Sequence, residues 1–232
     1  MEKKDEHPLV NLSLNIIIPS FILIKLSTEQ TLGPVWGLIT ALAFPLSYGL
    51  FEIIRHRKVN FFSLIGLVSI TLTGTLGLLS LDAKWIALKE GGIPFLIGMI
   101  VLISHKTPYP IVGKILFSDQ IFNIPEILKR LEETERMKAF EKRIFISTLM
   151  LSCSFFLSSF LNTFLAITML VSPPGTTAFN AELGRMTAYS FPVIAVPSVI
   201  ILVCVFLYLT RSITSLTDLS FSEMLSEKIA PE

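Results

Sequence analysis

The sequence predicts an all-α, polytopic membrane protein with six transmembrane helices, and three observations predict it. Hydrophobic residues make up 52% of the chain and charged residues 16%, with a mean hydropathy of +0.69, too apolar for 232 residues to bury in one soluble core. The apolar residues fall in runs of about 20, the length a helix needs to cross roughly 30 Å of hydrocarbon. Short charged or Pro/Gly-rich stretches separate the runs, giving spans at about residues 9–26, 33–54, 61–81, 85–105, 144–171 and 191–209. The chain thus reads as a single six-helix transmembrane domain, with residues 106–142 forming a cytoplasmic, amphipathic connector between the fourth and fifth spans.

The charged start, MEKKDEHP, precedes an apolar run without a small-x-small cleavage site, so the first span is expected to be retained rather than removed as a signal peptide. Asn15 and Pro19 lie one turn apart in it, and Pro19 deprives the Asn15 carbonyl of its helical donor. That makes Asn15 a candidate polar site, or a side chain that bonds a neighbour at a kink. The second span opens with Gly33 and Gly37, a spacing that permits close helix contact, and carries Pro45 near its middle. Tyr48, Glu52 and His56 then follow at four-residue spacing. This row could relay protons or hold a cation, or Glu52 could pair with Arg55, His56 or Arg57 at the headgroups.

In the third span Gly66, Ser69, Thr73 and Gly77 form a small, weakly polar stripe expected to pack on another helix. The fourth span holds the most unusual stretch, an adjacent Lys89-Glu90 pair followed by Gly91-Gly92-Ile93-Pro94. A charge in hydrocarbon costs about 2.5 to 3.5 kcal/mol on insertion scales, and a Gly-Gly-x-Pro step frees backbone groups that a regular helix satisfies. Together they predict a polar interruption. Adjacent residues diverge around a helix, so separate partners are expected: Asn162 or Arg185 for Glu90, and Glu182 for Lys89. The alternative is that both side chains snorkel to the outer interface.

Within the connector, NIPEILKRLEETERMKAFEKR reads as one surface helix capped by Asn123, with Pro125 and Glu126 in its first turn. The fifth span is long enough to tilt or project, and carries Ser154, Ser158 and Asn162 at four-residue spacing. The stripe is either polar glue between helices or a cavity lining. Pro173-Pro174-Gly175 stops that helix, and a short separate helix, FNAELGRMTA, is expected before the last span, which contains Pro192 and Pro197.

Charge sets the expected topology. Fifteen of nineteen Lys and Arg residues fall on the side holding both termini, three (Lys25, Lys84 and Arg185) fall on the other, and Lys89 lies within the membrane. The positive-inside rule therefore predicts cytoplasmic termini. The first and fourth spans also share an Ile-Pro start (Ile18-Pro19 and Ile93-Pro94), and the second and fifth share a Phe-x-Leu-Ser motif, which raises a 3+3 inverted repeat.

Three stretches carry a family resemblance: FPLSYGLFEIIRHRK at residues 44–58, EGGIPFLIGMIVLIS at 90–104, and the region from FLSSFLNTFLAI to FNAELGRMTAYSFPVIAVPS at 156–198. In these the chain resembles the six-span bacterial inner-membrane proteins grouped with intracellular septation protein A, whose relatives are often labelled major facilitator transporters. The resemblance implies a multi-pass protein of the bacterial inner membrane with a transporter-like character. Six spans are half the usual facilitator count, so a pore between halves would need a homodimer.

The expected function is transport of a small solute or ion, with Lys89, Glu90, Asn162, Ser158, Asn15, Glu52 and Arg185 as candidate binding residues. The alternative is a scaffold of the cell envelope that serves septation or envelope maintenance without transport. An enzyme is not expected, because the chain lacks a His-Glu-x-x-His motif, a Gly-x-Ser-x-Gly elbow and a phosphate-cradling glycine loop. A net charge of +1 gives no field for nucleic acid. Cys153 and Cys204 lie in apolar runs and are expected to be small buried hydrophobes rather than a disulfide or metal pair; no cofactor or metal is expected.

Overall fold

The computed structural model describes residues 8–56, 61–107, 111–119 and 121–226; the side chains at 8, 52, 55, 56, 61–67, 114 and 115 lie outside that description. Among the described residues the secondary structure is helical, apart from an isolated antiparallel bridge between Phe122 and Leu225. Five helices there are long and apolar enough to cross a membrane, rather than six: Leu9–Leu26, Gly33–Phe51, Ala83–Ser104, Met137–Met169 and Thr177–Thr217. By the length and composition of these helices the chain is a multi-pass membrane protein. The expected third span is α4 (Phe61–Leu78), which contributes a shorter apolar helix, Val68–Leu78, where its side chains are described.

The chain divides into two compact units, Met1–Gly91 with Phe160–Ala195, and Gly92–Ser159 with Val196–Glu232. Each draws on both halves of the sequence, so neither is one of the three-span halves of the anticipated repeat.

In the first unit the N-terminal span alternates α1 (Pro8–Leu12) and α2 (Ile18–Phe21) with π-helical turns at Ser13–Ile17 and Ile22–Leu26. Pro19 sits in the first turn of α2, and the wider turns absorb the hydrogen bond it removes. α3 (Gly33–His56) packs on this span and on α4. Of its two early glycines only Gly37 serves close approach, since a Cβ there would come within 2.8 Å of Ser27 Cα; Gly33 instead starts the helix at φ +70°. α9 (Thr177–Ser190) lies against the first span, with Phe179, Asn180, Leu183, Gly184 and Met186 buried. The core of the unit gathers Ile22, Leu23, Leu38, Ile86, Phe179 and Leu183.

α9 was expected to be a separate connector helix. It instead runs through a π turn, Phe191–Ala195, directly into α10 (Val196–Thr217), a continuous 41-residue stretch. Pro192 and Pro197 both sit where a missing N–H can be accommodated by that wider turn.

The second unit is built from the rest of α5 (Ala83–Ser104), α6 (Ile111–Ile115), α7 (Ile124–Glu133), α8 (Met137–Met169) up to Ser159, α10 and α11 (Phe221–Met224). Asn123 caps α7 by accepting the Glu126 N–H at 3.4 Å, as its sequence predicts. The expected single helix is nevertheless two. It breaks at Glu135, which adopts φ +55°, and the next residue, Arg136, donates to the carbonyls of Ser215 and Leu216 in the last turn of α10 at 3.4 and 3.3 Å. Those carbonyls have no intrahelical donor, so capping them with a cation stabilises the helix end and redirects the connector. α7 buries Ile127 and Leu131 against α10 and α11, and Phe122, Phe140, Leu209 and Ile213 complete this core. The tail is held by Ser226 N–H to the Ile121 carbonyl at 3.0 Å and by a Ser220/Glu223 capping box, whose Ser220 hydroxyl and N–H keep the Glu223 carboxyl below its ordinary range.

α8 has 33 residues, roughly 50 Å of helix, so its charged first two turns extend beyond the hydrocarbon. Cys153 and Cys204 are free, but both are exposed on apolar helix surfaces rather than buried among protein side chains. A lipid-facing position satisfies a thiol's apolar character as well as a core does.

Candidate functional site

The site is built on α5, whose start is fixed by Asp82. Its carboxylate accepts the Lys84 N–H at 2.9 Å and pairs with the Lys84 ammonium at 3.2 Å, and these contacts hold it below the usual carboxylate range. From there α5 runs unbroken to Ser104 with Pro94 inside it. The expected interruption at Gly91 to Pro94 is therefore not a break in the helix. What Pro94 does remove is the donor to the carbonyl four residues earlier, which is that of Glu90.

Lys89 and Glu90 do not seek separate partners. They pair with each other, Nζ to Oε1 at 2.7 Å, with Lys89 only 7% exposed and Glu90 23%. The same ammonium donates to Thr73 Oγ1 at 2.7 Å and to Ser69 Oγ at 3.1 Å, with the Ser69 carbonyl at 3.3 Å. Thr73 in turn directs its own proton to the Ser69 carbonyl at 3.0 Å, which leaves a hydroxyl lone pair facing Lys89. An ammonium has three protons, and the carboxylate and two hydroxyls take all three. Adjacent helix positions diverge by about 100°, but a four-carbon lysine stem spans that arc, and the cost of an unpaired charge in an apolar setting favours closure. Glu90 is committed through one oxygen; its Oε2 has no protein partner among the described residues.

The other sequence-derived candidates go elsewhere. Glu182 does not reach Lys89. It accepts the Val171 and Ser172 N–H groups at 3.0 and 2.9 Å and the Ser172 hydroxyl at 2.6 Å, tying the end of α8 to α9. Arg185 is exposed and donates to the Ala181 carbonyl of its own helix at 3.3 Å. Asn15 donates to the Asn11 carbonyl and side-chain oxygen at 2.9 and 3.0 Å beside the first π turn. Ser158 and Asn162 are part-buried on α8, and both have interaction partners. The Glu52 side chain, like those of Arg55 and His56, lies outside the described residues.

An open groove of about 540 Å³ does exist in the first unit, away from the charge pair. Val10, Leu14, Ala43, Phe44, Ser47, Tyr48 and Phe51 line it, and its walls are almost wholly apolar. Among the described residues no group of His, Cys, Asp and Glu has the arrangement of a metal site.

Comparison with family models, curated proteins and solved structures finds no match. The chemistry of the site therefore rests on its own residues. Two of them are not expected as ligands from the sequence, which marks Ser69 and Thr73 only as packing positions. The signal was present, since hydroxyls one turn apart on one apolar helix and a lone lysine in the next are complementary. A third missed residue is Asn180, 1% exposed, which donates to the Pro34 carbonyl at 2.7 Å and joins α9 to the start of α3.

Proposed function

We propose that this is a transporter-like membrane protein for a small solute or ion, with Glu90 as the side chain that contacts the cargo within the membrane. The observation that carries the reading is the asymmetry of the pair. Lys89 has all three protons engaged, whereas Glu90, a partly exposed side chain within a membrane-spanning helix, keeps one oxygen uncommitted. A carboxylate so placed can accept a cation or a donor group of a solute while the lysine stays held by Ser69 and Thr73. Charge distribution supports six crossings with both termini in the cytoplasm. The resemblance to the septation-protein family supports a bacterial inner membrane and a homodimeric assembly.

The test uses purified protein in liposomes that contain an entrapped pH dye, with proton and Na⁺ gradients imposed in turn. The expected result is a flux that Glu90→Gln abolishes while the variant keeps the helical circular dichroism of the wild type. A flux indistinguishable between the two proteins, or absent from both under every gradient, sinks the proposal.

A second reading, an envelope scaffold, is favoured by one observation, the saturation of Lys89, which suits a permanent lock between α4 and α5. Deleting the connector would not test it cleanly, because Ile127 and Leu131 belong to the core of the second unit. Reversing exposed charges on α7, for example Lys129→Glu with Glu132→Lys, leaves that core intact and should cost a scaffold its partners.

A further inference from the structure

Two helices of the second unit change chemistry at one level. On α8 Lys138, Glu141, Lys142 and Arg143 are charged and exposed, and from Ile144 onward the helix turns apolar. On α10 the apolar run ends at Tyr208 and Arg211. The Arg143 guanidinium donates to the Tyr208 hydroxyl at 3.2 Å and lies 5.8 Å from the centre of its ring, so the two transitions meet. A tyrosine with an apolar ring and a bonded hydroxyl is suited to a bilayer interface.

Arg211 sits three residues after Tyr208, on the same helical face. Arg143 uses one of its five donors, and Arg211 has no polar partner among the described residues; neither is paired with a carboxylate there. Glu141, two residues before Arg143, points to another side of α8. Just inside this level Leu207 and Val203, one and two turns before Arg211 on the same face of α10, are exposed. The surface thus joins unneutralised positive charge with fork geometry to an apolar face.

We propose that Arg143, Tyr208 and Arg211 form a binding site for the headgroup phosphate of an anionic phospholipid, whose acyl chains lie along the exposed apolar residues below. The charge complementarity commits the occupant: guanidinium groups bind phosphate through paired donors, and a zwitterionic headgroup offsets part of that attraction. This site is independent of the Lys89 cluster.

Native mass spectrometry of the full chain, released from mixed micelles containing equal phosphatidylglycerol and phosphatidylcholine, tests it. Wild type should retain phosphatidylglycerol preferentially, with a preference of roughly fivefold per arginine. Arg143→Gln with Arg211→Gln should abolish the preference while circular dichroism remains unchanged. Should that variant not fold, Arg143→Lys with Arg211→Lys keeps the charge but loses the fork, and is expected to lower the preference partially and to make it fall steeply with salt. Equal retention of the two lipids by wild type overturns the proposal. So does an undiminished preference in either folded variant.

Discussion

At the scale of single residues, Lys89 illustrates how an apolar surrounding selects partners. A lysine 7% exposed has few ways to remain charged, and the contacts to Glu90, Thr73 and Ser69 supply one acceptor per proton. Removing one member of such a set is therefore not equivalent to removing the set. Thr73→Val deletes a single hydroxyl and is expected to cost about 0.6 to 1.7 kcal/mol, the range of side-chain hydrogen bonds between membrane helices. Lys89→Met strands the Glu90 carboxylate and should cost more, whereas Lys89→Met with Glu90→Gln removes both charges and should recover part of the loss. Thermal melts in one detergent provide the measurement. Strictly additive losses would mean that the two charges are not coupled, contrary to the 2.7 Å pair. The sequence locates this pair but points to other partners, because the angular divergence of adjacent positions takes no account of the reach of the lysine stem. Nothing in a single sequence marks Glu182 as a ligand of the Val171 and Ser172 backbone, since backbone groups look alike in every residue.

At the scale of elements, glycines separate what packs from what bends. A Cβ on Gly184 would sit 2.8 Å from Leu23 Cβ and 3.0 Å from the Ser20 carbonyl, so α9 approaches the first span through that position. Around Gly92 nothing lies within 4 Å, and α5 is regular there. Gly184→Ala is accordingly expected to destabilise by about 1 to 3 kcal/mol through overpacking. Gly92→Ala should be neutral or stabilising by about 0.5 to 1 kcal/mol through helix propensity. If Gly92→Ala lowers stability or flux more than Gly184→Ala, α5 works as a hinge at Gly91 to Pro94 and its regular helix is only one of its states. Helix existence was legible from apolar runs of the right length, and the Asn123 cap from its side chain and the following Pro125. The break at Glu135 was not legible. A glutamate has no preference for positive φ, and the cause is Arg136 capping a helix end some 80 positions later in the chain. The junction of α9 with α10 was hidden for the opposite reason: prolines that punctuate an ordinary helix are tolerated where a π turn absorbs the missing donor.

At the scale of the whole molecule, the number of crossings decides how the charge pair is oriented, and α4 is the element on which it turns. Packing within the first unit bears on this directly. Gly74 lies against Leu42 and Gly77 against Leu38, so as α4 proceeds it meets successively earlier residues of α3. Two helices in that register run antiparallel, and the end of α4 returns to the level at which α3 begins. If α3 crosses the membrane, α4 crosses it back, and such a sixth passage is what the expected placement of fifteen Lys and Arg residues on one side against three on the other requires. Cysteine labelling measures the outcome. In a background lacking Cys153 and Cys204, Glu29→Cys before α3 and Leu79→Cys after α4 should both react with an impermeant maleimide in intact cells. Glu132→Cys on α7 should react only after permeabilisation. Opposite accessibility at positions 29 and 79 would leave α4 on one side of the bilayer. The termini would then lie on opposite sides, and the charge asymmetry from which an outward position of Lys89 and Glu90 is expected would lose its basis.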